Sequence, residues 1–268
     1  MEGNRSGSMN GKTAIITGAS RGIGKAIALK LASAGCNIAI AAKTVEAHPK
    51  LEGTIYSAAE EIEKSGGKAL PLQVDIRHEE QIIAAVQETI ERFGGIDILV
   101  NNAGVIMRVP AMDMDPEDFR KVVDVDLVSP FILSQRVAKT MRSIGGGKII
   151  NICSMMSELG RDTVSAYAAA KGGLKMLTKN LATEWAQYNI QVNGIGPGYF
   201  ATDQTAPIRV EGHPFNDFIV NRTPAGRWGD PEDLAGATIF LASKASDFVN
   251  GQIIYVDGGL LATIGKPY

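Results

Sequence analysis

Lys12 to Ala42 reads KTAIITGASRGIGKAIALKLASAGCNIAIAA, and this stretch decides the fold. A short apolar run, KTAIIT, enters a loop with glycines at 18, 22 and 24. An amphipathic pattern, KAIALKLASAG, follows, and then a second apolar run, NIAIAA. Apolar runs of strand length separated by helical patterns predict βα units and a parallel sheet. The GxxxGxG spacing lets the backbone turn tightly and sets a helix N-terminus where a pyrophosphate can sit.

The same alternation continues outward through KALPLQV, IDILVN, GKIINIC, IQVNGI and QIIYV. The expectation is an α/β, doubly wound, Rossmann-type parallel sheet of seven strands, with helices on both faces and one domain over residues 10–268. Asp115-Pro116-Glu117-Asp118 and Asp230-Pro231-Glu232-Asp233 each offer an acidic N-cap, Pro at N1 and further acid in the first turn. Residues 43–53 and 196–223 read as irregular, and long loops in a compact domain tend to be functional. Met1 to Met9, MEGNRSGSM, lacks an apolar leader core and reads as a disordered tail or an appended remnant.

Composition narrows the partners. Net charge is −2, hydrophobic residues make up 45%, and no long basic run occurs, which disfavours nucleic acid and membrane surfaces. Cys36 and Cys153 lie in apolar runs away from any CxxC pair, as expected of core thiols in a reducing, cytoplasmic setting. His48, His78 and His213 are scattered, so no metal site is expected.

The chemistry concentrates in Ser154 to Lys171, SMMSELGRDTVSAYAAAK. Tyr167 and Lys171, at i and i+4 of a helix, share one face. A phenol ordinarily ionises near pH 10, and a fixed cation beside it favours the phenolate, which suits acid-base work. Ser154 follows the strand-like KIINIC, placing its hydroxyl at the end of the sheet where α/β folds hold ligands.

TGASRGIG at 17–24, NNAG at 101–104, Ser154/Tyr167/Lys171 and PG at 197–198, in this order, resemble the short-chain dehydrogenase/reductase family. The resemblance implies a nicotinamide cofactor and usually a homotetramer. It places Gly18, Ser20, Gly22, Ile23 and Gly24 along the pyrophosphate, and Asp75, with Ile76, at the adenine. It puts Asn102, Ala103 and Gly104 beside the adenosine ribose, Tyr167 and Lys171 on the nicotinamide ribose, and Pro197, Gly198 and Thr202 at the carboxamide. The end of the second strand, Ala41-Ala42-Lys43-Thr44, carries a cation and no acid, and Arg21 lies nearby, so NADP(H) is expected over NAD(H).

In the second half, GKIINICSMMSELGRDTVSAYAAAKGGLKMLTK at 147–179, NIQVNGIGPGYFATDQT at 189–205, RTPAGRWGDPEDL at 222–234 and ASDFVNGQIIYVDGG at 245–259 closely resemble gluconate 5-dehydrogenases, which implies a keto sugar acid as substrate. The region from AAKTVEAHPKLEGTIYSAAEEIEKSGGKA to GGIDILVNNA, residues 41–103, instead resembles the hydroxysteroid dehydrogenase-like branch. Substrate contacts are expected at Ser154 and Tyr167, with Arg108 or Arg161 for a carboxylate and Glu158 for hydroxyls. A lid is expected over residues 201–221. Where the family usually carries an asparagine that holds a relay water, this chain has Asp126, counted here with the catalytic group. The competing expectations are a reductase of a 3-oxoacyl thioester, a 2-deoxy-gluconate 3-position or a steroid ketone, and a non-catalytic dinucleotide-binding regulator.

Overall fold

The computed structural model describes residues 9–47 and 51–265. Seven strands form a single sheet: β1 (Thr13–Thr17), β2 (Asn37–Ala42), β3 (Lys68–Gln73), β4 (Ile98–Asn101), β5 (Gly147–Ile152), β6 (Ile190–Pro197) and β7 (Ile253–Val256). Their order is β3-β2-β1-β4-β5-β6-β7, and every pairing is parallel. Strands buried on both faces need apolar side chains at consecutive positions, which is why these runs are continuous rather than alternating. β1 and β6 are buried at every residue. β3 carries Pro71, tolerated because this strand lies at the sheet edge.

Among the described residues there are eight α-helices: α1 (Gly22–Ser33), α2 (Ile55–Lys64), α3 (Glu79–Phe93), α4 (Pro116–Val123), α5 (Ser129–Ser143), α6 (Ser165–Trp185), α7 (Pro214–Arg222) and α8 (Ala235–Ala242). Neighbouring strand residues point to opposite faces, so Ile16, Ile38 and Ile40 pack with Ile27, Leu31, Ile62 and Leu241. Ile15, Leu99 and Ile149 instead pack with Ile82, Leu133, Val137 and Leu181. The chain winds from β1 outward to β3, then crosses back to β4 on the other side of β1. Loops after β1 and β4 therefore diverge, opening a crevice at the carboxyl ends.

Both acidic helix starts cap as the sequence predicts. The Asp115 carboxylate accepts the Glu117 N–H at 2.7 Å, and Asp230 caps a 3-10 turn, Pro231–Leu234, that runs into α8. Residues 196–223 are more regular than expected: they hold a 3-10 turn, Asp203–Ile208, and α7. The start of α7 is hidden because its cap is a histidine, His213 Nδ1 accepting the Phe215 N–H at 3.2 Å ahead of Pro214. The expected tail at 1–9 lies outside the described residues except for Met9, which is 3% exposed and donates its N–H to Ala34. His48 also lies outside them. Between α4 and α5, Asp124–Val128 forms a π turn that buries Val125 and Asp126. Among the described residues no helix is long and apolar enough to cross a membrane.

Asp115→Ala should cost about 1 kcal/mol through the lost cap and lower the Tm by about 2–4 °C, with Asp115→Asn close to the parent. A thermal melt of the three proteins checks this.

Candidate active site

The crevice is closed at its base by one side chain. Thr17 Oγ1, at the end of β1, accepts the N–H groups of Asn102 and Ala103, each at 3.0 Å. Asn102 answers through its amide, donating to the carbonyls of Thr17 at 2.9 Å and Gly18 at 3.3 Å. The approach leaves no room for side chains. A Cβ on Gly24 would sit 2.4 Å from Gly18 O and from Asn102 Nδ2, and Gly18 takes φ +66° with Ala103 Cα 3.0 Å from its missing Cβ. Gly22, at φ +55°, faces Thr202, whose Cγ2 lies 3.6 Å from the corresponding point.

No side chain caps the N-terminus of α1, so its first N–H groups point into this cradle. A flat, glycine-lined hollow at an uncapped helix start fits a dinucleotide pyrophosphate. Ser20 is buried beside it, and Ile23 packs against the core. Arg21 donates to Gly53 O at 2.7 Å, while its buried Nε has no partner. Lys43 is exposed at the end of β2, where its charge acts on Asp75. Arg77 grips Asp75, with Nε 2.9 and 3.1 Å from the two oxygens, and this pulls the carboxyl down to about 2. Ile76 packs on the α3 side. Pro197 ends β6, and Gly198 donates to Val256 O at 3.0 Å, close against Asp257.

β5 and α6 bring the second group together. Ser154 is 7% exposed, and its Oγ accepts the Met156 N–H at 3.1 Å, which leaves the hydroxyl proton free to donate elsewhere. Tyr167 is half-buried among Met155, Met156, Val164, Leu260, Ile106 and Tyr199. The Lys171 ammonium lies 5.6 Å from the Tyr167 ring centroid, is 4% exposed, and donates to Ile152 O at 2.9 Å. Asp126 reaches the same point from the π turn: Oδ1 accepts the Val105 N–H at 2.8 Å, and Oδ2 stands 3.3 Å from Lys171 Nζ without a hydrogen bond of regular geometry. Burial pushes the Asp126 carboxyl up, with the Lys171 charge pulling against it. Burial likewise opposes the Lys171 ammonium, but Asp126, then Tyr167 and Cys153, outweigh it and hold the charge in place.

The substrate candidates separate. Arg108 is exposed, with no hydrogen bond or ion pair among the described residues, on a loop tied to the next one by Val109 N–H to Thr163 O at 2.9 Å. Thr163 takes φ +64°, a strained conformation for a β-branched residue and one that clusters at functional loops. Arg161 rests 5.2 Å from the Phe215 ring centroid of α7 and donates to Tyr199 Oη at 3.3 Å. Glu158, expected to meet substrate hydroxyls, is engaged by protein groups: its oxygens accept from Lys175 Nζ at 2.5 and 2.6 Å, and Tyr255 Oη donates to it at 2.5 Å. The 201–221 stretch packs through Phe215 edge-on to Tyr199, which in turn meets Trp228, both at 5.9 Å.

One feature under the site escapes motif reading. Asn101 on β4 donates to Ser134 Oγ at 2.9 Å and to Asn151 Oδ1 at 2.8 Å, and Asn151 on β5 donates to Thr178 Oγ1 on α6 at 2.9 Å. This buried polar chain ties two strands to α5 and to α6, the helix that carries Tyr167 and Lys171. Its only sequence signal is an asparagine ending one apolar run and another set inside a second.

A dinucleotide cradle at the switch point, with a serine, tyrosine and lysine at the neighbouring strand end, defines a nicotinamide-dependent oxidoreductase site. A family profile described as enoyl-(acyl carrier protein) reductase matches residues 18–261. The chain is 61% identical to a 2-dehydro-3-deoxy-D-gluconate 5-dehydrogenase of Formosa agariphila, over 97% of this chain and 96% of that one. It is 44% identical to a 5-keto-D-gluconate 5-reductase of Escherichia coli, over 96% and 98% respectively. A gluconate 5-dehydrogenase from Burkholderia cenocepacia, solved with NADP and tartrate, superposes with a TM-score of 0.88 at 43% identity, covering 97% and 99%. The chain belongs to the short-chain dehydrogenase/reductase family.

Gly24→Ala should weaken dinucleotide affinity by about tenfold or more, since the new Cβ overlaps Gly18 O and separates the two loops. Titration with NADPH, read by nicotinamide fluorescence, measures this, and a thermal melt confirms that the variant is folded.

Proposed function

We propose that this chain transfers a hydride between NADP(H) and the C5 carbonyl of a keto sugar acid of the 5-keto-D-gluconate/D-gluconate type. The observation that carries the reading is the assembly of Ser154, Tyr167 and Lys171 beside the glycine cradle, with Arg108, unpaired among the described residues, on the flanking loop. When bound, the nicotinamide supplies or accepts the hydride. Ser154 donates to the carbonyl oxygen, Tyr167 passes it a proton, and Lys171 fixes the tyrosine and the ribose. Arg108 meets the carboxylate with its planar fork, and Arg161, supported by Phe215, is the second such cation.

Preference for NADP(H) is supported by Lys43 and Arg21 near the end of β2, where no acid stands to repel a 2′-phosphate, and NAD(H) remains usable. The relative at 61% identity favours a second reading with 2-dehydro-3-deoxy-D-gluconate, altered at the same carbon. We further place the enzyme in the cytoplasm, in keeping with its two free cysteines, as a homotetramer. Val128 and Phe131, partly exposed where the π turn meets α5, suit a face between copies.

Assays of 5-keto-D-gluconate with NADPH and NADH, and of 2-dehydro-3-deoxy-D-gluconate with NADP+ and NAD+, test the assignment: a preference for the non-phosphorylated cofactor overturns the charge argument, and turnover only of steroid ketones or acyl thioesters overturns the substrate class. Tyr167→Phe keeps the ring and removes the proton, so kcat should fall by about 10² to 10⁴ with cofactor affinity little changed. Near-parent turnover by Tyr167→Phe rejects the mechanism. Hydrogen exchange over residues 201–221 should slow when cofactor and substrate are both present, as a closing lid requires; equal exchange with and without them counts against a lid.

A further inference from the structure

Asp126 is fully buried, its Oδ2 lies 3.3 Å from Lys171 Nζ, and no regular hydrogen bond satisfies that oxygen. A buried carboxylate so placed does more than fill the site of a neutral amide. It cancels a charge. With a neutral side chain at 126, the Lys171 ammonium would stand as an uncompensated cation 5.6 Å from the Tyr167 ring centroid and would favour the phenolate. With an ionised Asp126, the two form a pair of no net charge, and the field at the tyrosine drops.

We propose that Asp126 is an ionised positioning residue whose charge neutralises Lys171, keeps the proton on Tyr167 at neutral and mildly alkaline pH, and so tunes this site toward ketone reduction. The proposal rests on the oxidoreductase reading above. In reduction, the hydride from the reduced nicotinamide adds to the carbonyl carbon, the π electrons pass to oxygen, and oxygen takes the phenolic proton. In oxidation, the phenolate takes that proton back as the hydride leaves. Holding the proton on the phenol favours the first course and postpones the second to higher pH.

The titratable groups acting on Lys171 are Asp126, Tyr167 and Cys153, and the one acting on Asp126 is Lys171. Burial pushes the Cys153 thiol up to about 11, so it stays neutral over the working range. Glu158, the next acid along the chain, is engaged by Lys175 and Tyr255. The π turn aims residue 126 inward, and Gly104 makes room for it: a Cβ there would lie 2.8 Å from Oδ2.

The test is Asp126→Asn, the same shape without the charge, with kcat/KM followed from about pH 6 to 10 in both directions. The alkaline fall of reduction and the alkaline rise of oxidation should both move to lower pH by on the order of one unit, and oxidation near neutrality should rise severalfold. A second readout needs no cofactor or turnover: the ultraviolet phenolate titration of each form, minus that of its Tyr167→Phe counterpart, should move the same way. Should the asparagine form not fold, Asp126→Ser carries the same expectation. Profiles and titrations that superimpose on the parent's, or shift to higher pH, overturn the proposal. Absence of keto sugar acid turnover by the parent instead counts against the function, while the phenolate titration still decides the role of Asp126.

Discussion

The contact between Thr17 and the Asn102-Ala103 backbone is the constraint on which the rest of the site depends. The winding of the sheet forces the loops after β1 and β4 apart, and an unsupported crevice would leave buried N–H groups without partners. One hydroxyl accepting two of them, with the Asn102 amide returning two bonds, fixes how far the loops diverge. That distance sets the glycine requirement, because Gly18 and Gly24 face atoms that a Cβ would touch. The cradle is therefore a consequence of strand order, and the glycines are its price.

The catalytic half is built on a different principle. Lys171 is removed from water, so its charge must be met by protein groups. The Ile152 carbonyl and the Asp126 carboxylate do this from two elements, and the Asn101–Asn151–Thr178 chain holds the underlying strands and helix in register. Ser154 contributes by being partly used: with its oxygen already accepting from Met156, its remaining capacity points outward. Stability and chemistry share the same few hydrogen bonds here, so altering one disturbs both.

The sequence made the strands legible because burial on both faces leaves unbroken apolar runs, and the glycine spacing located the first turn. Its limits follow from distance and from unusual caps. Nothing in SMMSELG at 154–160 reveals that Glu158 meets Lys175 and Tyr255, since those partners come from α6 and β7. Arg161 was legible as a cation but not as one resting on Phe215. α7 went unread because His213 caps it. Asp126 stood out as a departure from the family pattern, yet only the fold shows its depth and its 3.3 Å approach to Lys171.

The π turn between α4 and α5 has a geometric cost and a permanence. One extra residue in the winding offsets the two helices by roughly 100° about their common axis, as an α-helix turns that far per residue. α5 sets Leu133, Val137 and Met141 against the sheet from that offset. Deleting a single residue from Asp124–Val128 would restore regular winding and rotate one helix's apolar stripe away from its seat. Insertions and deletions are thus shut out of this segment, and change can enter it only by substitution. The identity of residue 126 is free to drift while its inward aim is locked, which makes it a natural dial for adjusting the site without rebuilding the fold.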